Sequence, residues 1–318
     1  MKLNNQHKEE FMKITKKLVS VLTTAALVAC LTACGSDPGS TSDSGSGSGP
    51  SSDSSSKKYT IGICQLVEHE ALDEATRGFK EALTEKLGEG NVKFDEQNAQ
   101  GEATNCSTIT NGFVTSNVDL IMANATGALQ AATQATADIP ILGTSITDYG
   151  TALNIENWTG KTGTNVSGTS DLAPIEQQED MILELYPNVK KVGIIYCSSE
   201  PNSAYQSDLM MKALDEDKIE YKEYTAADSN EIQTVTTTAC NECDVIYVPT
   251  DNTMASSAET IKNVVIPAGI PVIAGEAGIC SAGVATLSIS YYDIGRKTGE
   301  MAYEILVNGK KPGDMEIE

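Results

Sequence analysis

Two successive series of alternating strand and helix patterns constrain the fold of this chain more than any other feature. From Tyr59 onward, short runs rich in β-branched residues are followed by segments whose apolar residues recur every three or four positions, as on one face of a helix. The patterns predict strands at residues 59–64, 92–96, 119–123, 140–143, 191–196, 220–224, 244–248 and 271–274. They predict helices at residues 71–83, 103–115, 127–137, 174–185, 203–215, 229–239, 256–268 and 291–308. Repeated strand–helix units predict parallel sheets with helices on both faces, so we expect an α/β protein.

The alternation is interrupted between Leu153 and Gly168 and then starts again. The chain has 318 residues, which exceeds the roughly 250–300 residues that one hydrophobic core usually spans. We therefore expect two lobes of similar architecture rather than one.

The N-terminus has the pattern of a bacterial export signal. Three lysines at positions 13, 16 and 17 precede an apolar run that ends in Leu31-Thr32-Ala33-Cys34-Gly35, which is typical of a lipobox. We expect residues 1–34 to be a signal peptide with a lipobox and Cys34 to be diacylated, since two acyl chains hold a protein at a membrane far better than one. Leu27–Cys30 is a weaker match that comes too early in the apolar run. An uncleaved membrane anchor is the other alternative, but the run is shorter than the roughly twenty residues of a span.

Residues 35–57 are nearly all Gly, Ser, Asp, Thr and Pro, a composition typical of a disordered tether. The net charge is −22. Nucleic acids and anionic membrane surfaces repel such a protein, so we expect no nucleic-acid partner. The export signal, the lipobox and the tether together predict an extracytoplasmic protein that is lipid-anchored to the cell membrane.

The sequence does not contain the motifs of the common enzyme classes. Export would leave His69 as the one histidine, and no Gly-x-Ser-x-Gly motif is present. Gly160-Lys161-Thr162 resembles the end of a phosphate loop, but Ile155 replaces its first glycine. We expect no catalytic residues and no cofactor.

The cysteines do not form a metal-binding pattern either. Cys240-x-x-Cys243 lacks a second pair at the spacing of a structural zinc site, so we expect no metal. Buried free thiols are the favoured interpretation, although an exported protein could also form a Cys240–Cys243 disulfide.

An ordered series of motifs resembles one family of binding proteins. The motifs are 61-IGICQLVEHEALD-73, Gly78-Phe79, 98-NAQG-101, Ala125-Thr126, Thr147-Asp148, 165-NVSG-168, Tyr196 with 200-EPNS-203, 249-PTDN-252, 274-AGE-276 and 292-YDIG-295. The chain from Tyr59 to Glu318 is similar to the ABC transporter substrate-binding proteins typified by tryptophan- and aromatic-amino-acid-binding lipoproteins. The resemblance implies the type I periplasmic-binding-protein fold, in which two Rossmann-like lobes enclose a ligand cleft.

The resemblance also implies how the chain divides between the lobes. We expect residues 58–165 and 288–308 to form the first lobe, because the last helix returns to it in such proteins, and residues 166–287 and 309–318 to form the second. Two departures from the family are visible. Tyr149-Gly150 stands where the family usually has Asp-Pro, and the chain stops at Glu318 while family members usually continue.

Ligands of open α/β sheets bind beyond the carboxyl ends of the strands, and this rule selects candidate residues. A free amino acid needs partners for both of its charges. We expect Asp251 to hold the ammonium group, with help from Asp148 or Glu276. Thr126 and Ser203 would donate hydrogen bonds to the carboxylate, together with backbone N–H groups at helix starts.

The remaining candidates complete the predicted site. Asn202 and Ser167 would bind polar groups of the ligand, and His69 would lie beside its side chain with Gln65 and Asn98. For each residue the structural alternative is strong, because an Asp or Ser after a strand is often only a helix N-cap.

We therefore expect a substrate-binding protein that closes on an aromatic amino acid (Trp, Phe or Tyr) and delivers it to ABC permease transmembrane subunits. We expect it to act as a monomer. A nucleoside or sugar ligand is the alternative within binding, and a ligand-sensing subunit for a membrane receptor is the alternative role. The sequence does not identify the ligand side chain, for which Tyr149, Trp158 and Tyr205 are candidate neighbours.

Overall fold

A computed structural model of the protein describes residues 57–318. The predicted signal peptide, the lipidation site Cys34 and nearly all of the predicted tether lie outside the described residues. Among the helices at residues 57–318, none is long and apolar enough to cross a membrane.

The described chain alternates strands and helices through most of its length. The strands are β1 (Tyr59–Gln65), β2 (Val92–Asn98), β3 (Leu120–Asn124), β4 (Ile141–Ile146), β5 (Val166–Ser170), β6 (Lys191–Cys197), β7 (Glu220–Ala226), β8 (Val245–Val248), β9 (Val272–Ala274) and β10 (Ala285–Thr286). The α-helices are α1 (Glu70–Leu87), α2 (Ala103–Thr115), α3 (Thr126–Ala135), α4 (Tyr149–Leu153), α5 (Ile175–Leu185), α6 (Pro201–Asp217), α7 (Ile232–Glu242), α8 (Asn252–Ser256), α9 (Ala258–Ala268) and α10 (Tyr291–Leu306). The expected α/β class with two parallel sheets is confirmed.

The strands form two five-stranded parallel sheets. The first has the order β2-β1-β3-β4-β5 and the second has the order β10-β9-β8-β6-β7. We call the first sheet with its helices the first lobe and the second sheet with its helices the second lobe. In the first sheet Gln65 is in register with Asn98 of β2 and with Asn124 of β3, so the carboxyl ends of these strands lie side by side.

Each sheet is covered by helices on both faces because alternate strand residues point to opposite sides. In β3, Leu120 and Met122 pack with Phe79 of α1, whereas Ile121 packs on the other face with Phe113 of α2. All five of these side chains are fully buried, and each contributes about 1.5–3 kcal/mol to folding. The second sheet is enclosed in the same way by two further apolar clusters.

Two segments differ from the sequence-based division into lobes. Residues 166–170 form β5, which pairs with β4 and therefore belongs to the first lobe rather than the second. The C-terminal residues also lie on the first lobe, since the backbone N–H of Ser170 donates to Glu318 and that of Ile317 donates to Gly160. The sequence pattern does not predict β5 because its residues, Val-Ser-Gly-Thr-Ser, are mostly small and polar.

The last helix, α10, packs along α1 on the outside of the first sheet. The chain therefore passes between the lobes twice, at residues 171–174 and at residues 287–290. Asp171 joins these two connections, since it follows β5 directly and its Oδ2 accepts a hydrogen bond of 3.0 Å from the Tyr291 hydroxyl at the start of α10.

Candidate functional site

The carboxyl ends of strands from the two sheets face each other across a cleft, which contains a cavity of about 490 Å³. Its walls include Leu66, Val67 and Gly127 from the first lobe and Glu200, Asn202 and Asn252 from the second. A cavity of this size, between two lobes and beyond the strand ends, is suited to a small ligand.

Glu200 organises the second-lobe wall of the cleft. It precedes α6, in which Pro201 occupies the first helical position. Its carboxylate reaches α8, where Oε1 accepts from Thr253 N and Oγ1, and Oε2 accepts from the backbone N and Nδ2 of Asn252 and from Asn202 Nδ2. The four hydrogen bonds from Asn252 and Thr253 hold the start of α8 in place, and the fifth ties Glu200 to Asn202 of its own helix.

Asn252 also connects the two lobes. Its Oδ1 lies 3.2 Å from Nε2 of His69, which precedes α1 in the first lobe. The imidazole is largely shielded from solvent, and this burial lowers the pKa of His69 below its usual value, despite the nearby charges of Glu200 and Asp73.

Asp251 is buried at the end of β8 and serves as the N-cap of α8. Its Oδ1 accepts from the backbone N–H of Met254 at 2.8 Å, and its Oδ2 accepts from that of Cys197 at 2.6 Å. Burial, with a contribution from the charge of Glu200, raises the pKa of Asp251 to about 8. Both carboxylate oxygens thus stabilise the backbone of the second lobe.

Glu276 follows β9 and differs from Asp251 in one respect. The residue is only 1% exposed, and within residues 57–318 neither of its carboxylate oxygens has a hydrogen-bond partner. Burial and the charges of Asp171 and Asp251 raise the pKa of Glu276 to about 8. A buried carboxylate without a partner is costly, so a cation that reached Glu276 would stabilise it.

Asp171 brings a third acidic side chain to the same region. It is 3% exposed, and besides the Tyr291 hydroxyl it accepts a hydrogen bond of 2.9 Å from Thr147 Oγ1. Burial raises the pKa of Asp171. Asp171, Asp251 and Glu276 are therefore three buried acidic side chains close enough to act on one another.

The first-lobe side of the cleft contains strained backbone at two strand ends. Ala125, just before α3, has φ +87°, and Ser145 near the end of β4 has φ +57°. Such conformations cost about 1–3 kcal/mol for residues other than glycine and cluster at functional sites. Thr126 is the first residue of α3, so the free N–H groups of this helix start lie at the strand ends.

The structure distributes the ten predicted ligand residues among three environments. Thr126, Asn202, Ser203, Asp251 and Glu276 lie at strand ends or helix starts, and of these Asn202 lines the cavity between the lobes. His69 contacts that lining through Asn252. Ser203 Oγ, for example, donates to the carbonyl of Thr250 at 3.3 Å. Ser167 lies within β5 and is fully buried.

Three predicted residues have other surroundings. Gln65 and Asn98 line a separate cavity of about 590 Å³ that is formed by first-lobe residues alone. The amide group of Gln65 already has hydrogen-bond partners there, because it donates to Asp73 Oδ1 at 2.6 Å and accepts from Thr76 Oγ1 at 2.6 Å. Asp148 caps α4 by accepting from the backbone N–H of Thr151, as the structural alternative for such residues predicts.

Sequence reasoning missed Glu200 and Asp171. Glu200 stands before a proline at the start of a helix, which marks it as an N-cap position but gives no sign that its carboxylate would reach another helix. Asp171 follows a strand that the patterns did not predict.

In the part of the chain that the structure describes, no group of three or more His, Cys, Asp or Glu side chains is placed to hold a metal ion.

The structure has two α/β lobes, each built on a parallel sheet, and the described chain crosses between them twice. A polar cleft lies between the lobes at the strand ends. These features define a two-lobed small-molecule binding protein. Residues 60–318 match the family of ABC transporter substrate-binding proteins, and the chain belongs to this family. Members of the family bind substrates rather than convert them, and they act outside the cytoplasm.

Three relatives illustrate the similarity. A tyrosine-binding protein from Clostridioides difficile (strain R20291) is 40% identical over 269 residues, which cover 83% of this chain and 76% of that protein. The structure of an ABC domain from Streptococcus pneumonia in complex with L-Trp is 32% identical, with a TM-score of 0.79 over 82% of this chain and 89% of that one. A ligand-free, open substrate-binding protein with adhesive properties from Clostridium difficile is 37% identical, with a TM-score of 0.61 over 82% and 88%.

Proposed function

We propose that the protein is the lipid-anchored receptor of an ABC importer and binds an aromatic amino acid between its lobes. The observation that carries this proposal is Glu276, a buried carboxylate just after β9 whose oxygens have no hydrogen-bond partner among the described residues. The ammonium group of an amino acid would supply the missing partner.

The cleft offers separate partners for the two charges of an amino acid. The ammonium group would bind to Glu276, with Asp171 close enough to share the positive charge. Asp251, the first choice from sequence, would instead support the site, because both of its oxygens already accept backbone hydrogen bonds. The ligand carboxylate would bind near Thr126, at the positive end of α3, with Ser203 opposite.

The names of the relatives favour an aromatic side chain. The cavity of about 490 Å³ is large enough for one, and Leu66, Val67 and Gly127 give it apolar wall. Burial of an aromatic ring of ~150–250 Å² contributes about 4–6 kcal/mol at ~25 cal/mol per Å². Part of this is lost in ordering the ligand and the lobes.

The lobes are proposed to be in the ligand-closed arrangement. The chain is more identical in sequence to the open protein than to the L-Trp complex, yet its TM-score is higher with the complex over the same share of this chain. A difference in the relative placement of the two lobes would account for these scores. The hydrogen bond between His69 and Asn252 across the cleft is consistent with closure.

In this proposal Cys34 is diacylated after export and residues 35–57 tether the binding domain to the membrane. The closed monomer would then dock on the transmembrane subunits of a permease. Replacement of Cys34 by Ser should shift the protein from the membrane fraction to the medium or periplasm. Recovery in the membrane fraction regardless of this change would contradict the anchor.

The ligand can be tested by calorimetric titration with tryptophan, tyrosine, phenylalanine and leucine after unfolding and refolding have removed any bound ligand. We expect an aromatic amino acid to bind with micromolar or better affinity. Glu276→Gln, which keeps the shape and removes the charge, should weaken binding by about a hundredfold or more, because breaking a buried ion pair costs about 3–5 kcal/mol.

Glu259→Gln on the exposed surface of α9 is the matched control and should bind as the unaltered protein does. If a folded sample gives no heat with any of the four amino acids, the aromatic assignment is wrong and nucleosides and sugars become the ligands to examine. A ligand that binds Glu276→Gln unchanged would contradict the proposed ammonium partner.

A further inference from the structure

The protonation of His69 can be deduced from its neighbours. The Asn252 side chain lies between Glu200 and His69, with Nδ2 2.7 Å from Glu200 Oε2 and Oδ1 3.2 Å from His69 Nε2. A carboxylate can only accept hydrogen bonds, so the NH₂ group of Asn252 must face Glu200. A reversed amide would place its oxygen against the carboxylate.

This orientation fixes the imidazole. Because Asn252 presents its oxygen to His69, Nε2 must carry the proton of the hydrogen bond between them. Burial favours the neutral form of the ring. In neutral His69 the second nitrogen, Nδ1, is therefore unprotonated and is an acceptor.

Nδ1 is an acceptor without a donor. It is buried, and within residues 57–318 it has no hydrogen-bond partner. His69 follows Leu66 and Val67 in the loop after β1, and these two residues and Asn252 all line the cavity between the lobes. His69 contacts this lining through its hydrogen bond to Asn252. An unpaired acceptor directly behind the lining of a binding cavity favours ligands that bring a donor to it.

We propose that His69 Nδ1 selects ligands whose side chain carries a hydrogen-bond donor, with Glu200 and Asn252 as positioning residues that fix the required tautomer. The inference rests on the proposed amino acid function and narrows it. A tyrosine hydroxyl or an indole N–H would be favoured, and phenylalanine, which lacks only the hydroxyl group of tyrosine, would be disfavoured.

The test compares the affinities of tyrosine and phenylalanine. In the unaltered protein tyrosine should bind about ten to a hundred times more tightly, since an unpaired buried acceptor is costly. In His69→Phe the ratio should fall to about threefold or less. His69→Gln retains an acceptor oxygen and should restore part of the preference. In the described chain the His69 side chain makes no capping hydrogen bond to α1, so these variants do not remove a helix cap.

The positioning role has its own readout. Glu200→Gln replaces an obligatory acceptor by an amide that can also donate, which allows Asn252 to reverse and His69 to change tautomer. Nitrogen-15 NMR of the imidazole should show protonated Nε2 and unprotonated Nδ1 in the unaltered protein, and a mixed tautomer in Glu200→Gln. The two histidines of the chain can be told apart with the His69 variants. A merely structural role of Glu200 would leave the tautomer unchanged.

Lower pH provides a further check. Protonation of His69 places a proton on Nδ1, so the preference for tyrosine should decline as the pH falls through the lowered pKa of His69. The acidic groups acting on the ring are Glu200, Asp73 and Glu70, with Asn252 at Nε2. Both ligands share the same ammonium and carboxylate groups, so titration of Glu276 cancels in the ratio.

The outcomes separate this inference from the proposed function. If no aromatic amino acid binds, the proposed function fails. If aromatic amino acids bind but the ratio of tyrosine to phenylalanine affinity is the same in the unaltered protein and in His69→Phe, the role of His69 is overturned while the proposed function stands. The same holds if Nδ1 carries the proton.

Discussion

Gly295 of α10 lies so close to Ala75 of α1 that a Cβ atom on Gly295 would be 2.0 Å from the Ala75 carbonyl oxygen. Gly78 of α1 and Gly299 of α10 make similarly close approaches to the opposite helix. These glycines let the two backbones touch where the chain has returned from the second lobe. They fix α10, and with it the second crossing between the lobes, to the first lobe.

Replacement of Gly295 by alanine should therefore destabilise the protein by about 3 kcal/mol, because overpacking against backbone cannot be relieved by side-chain rotation. Urea unfolding followed by circular dichroism would measure the change. Gly112 in the last turn of α2 is the matched control, since a Cβ there meets nothing within 4 Å. Gly112→Ala should be neutral or stabilising by up to ~1 kcal/mol. An equal effect of the two substitutions would contradict this account of the helix contact.

Much of the fold could be predicted because its determinants are local. Buried strands such as β3 are continuous apolar runs, and α1 and α10 have apolar residues at helical spacing. The elements that were missed lack such a pattern. β5 is small and polar, and it depends on pairing with β4. The five-residue helices α4 and α8 depend on the Asp148 and Asp251 caps rather than on periodicity.

The candidate site was harder to predict because it depends on contacts between distant segments. The rule that ligands bind at strand ends selects Asp251 and Glu276. Sequence alone could not tell that the Asp251 carboxylate accepts hydrogen bonds from backbone N–H groups whereas the Glu276 carboxylate has no partner among the described residues. Glu200 contacts Asn252 from some fifty positions away, and nothing in either segment indicates this pairing. The distinction between a helix cap and a ligand contact therefore required the structure.

The cysteines of the described chain are free thiols with different accessibility. The partly exposed ones are Cys240 and Cys280, and the buried ones are Cys64, Cys106, Cys197 and Cys243. Iodoacetamide should modify Cys240 and Cys280 first in the native protein, and faster at higher pH because burial raises the pKa of both thiols. Peptide mapping by mass spectrometry would follow the order. Recovery of Cys240 joined to Cys243 in the unreduced protein would contradict it.

Glu276 should make the unliganded protein less stable as the pH rises. Its pKa is about 8 in the folded protein and about 4.5 when exposed, so between these values the folded state holds a proton that the unfolded state has released. Stability then falls with rising pH, by about 1.4 kcal/mol per pH unit for one such group. Glu276→Gln cannot ionise and should lose less stability between pH 5 and pH 8. Urea unfolding of both proteins at the two pH values tests this, and parallel losses would contradict it.

The same carboxyl group should couple ligand binding to proton release. At pH 7 a group with a pKa of about 8 is mostly protonated, but pairing with an ammonium group requires the carboxylate. Binding should therefore release close to one proton per ligand, and affinity should rise by up to about tenfold per pH unit toward pH 8.

Calorimetric titration at pH 7 in phosphate and in Tris, whose ionisation heats differ, measures the released protons. His69 contributes little above pH 7, since its pKa is lowered. Glu276→Gln has no carboxyl group to lose a proton at this position, so the release should be lost in this variant. Equal binding heats in the two buffers would show that Glu276 is already ionised in the empty cleft or does not contact the ammonium group.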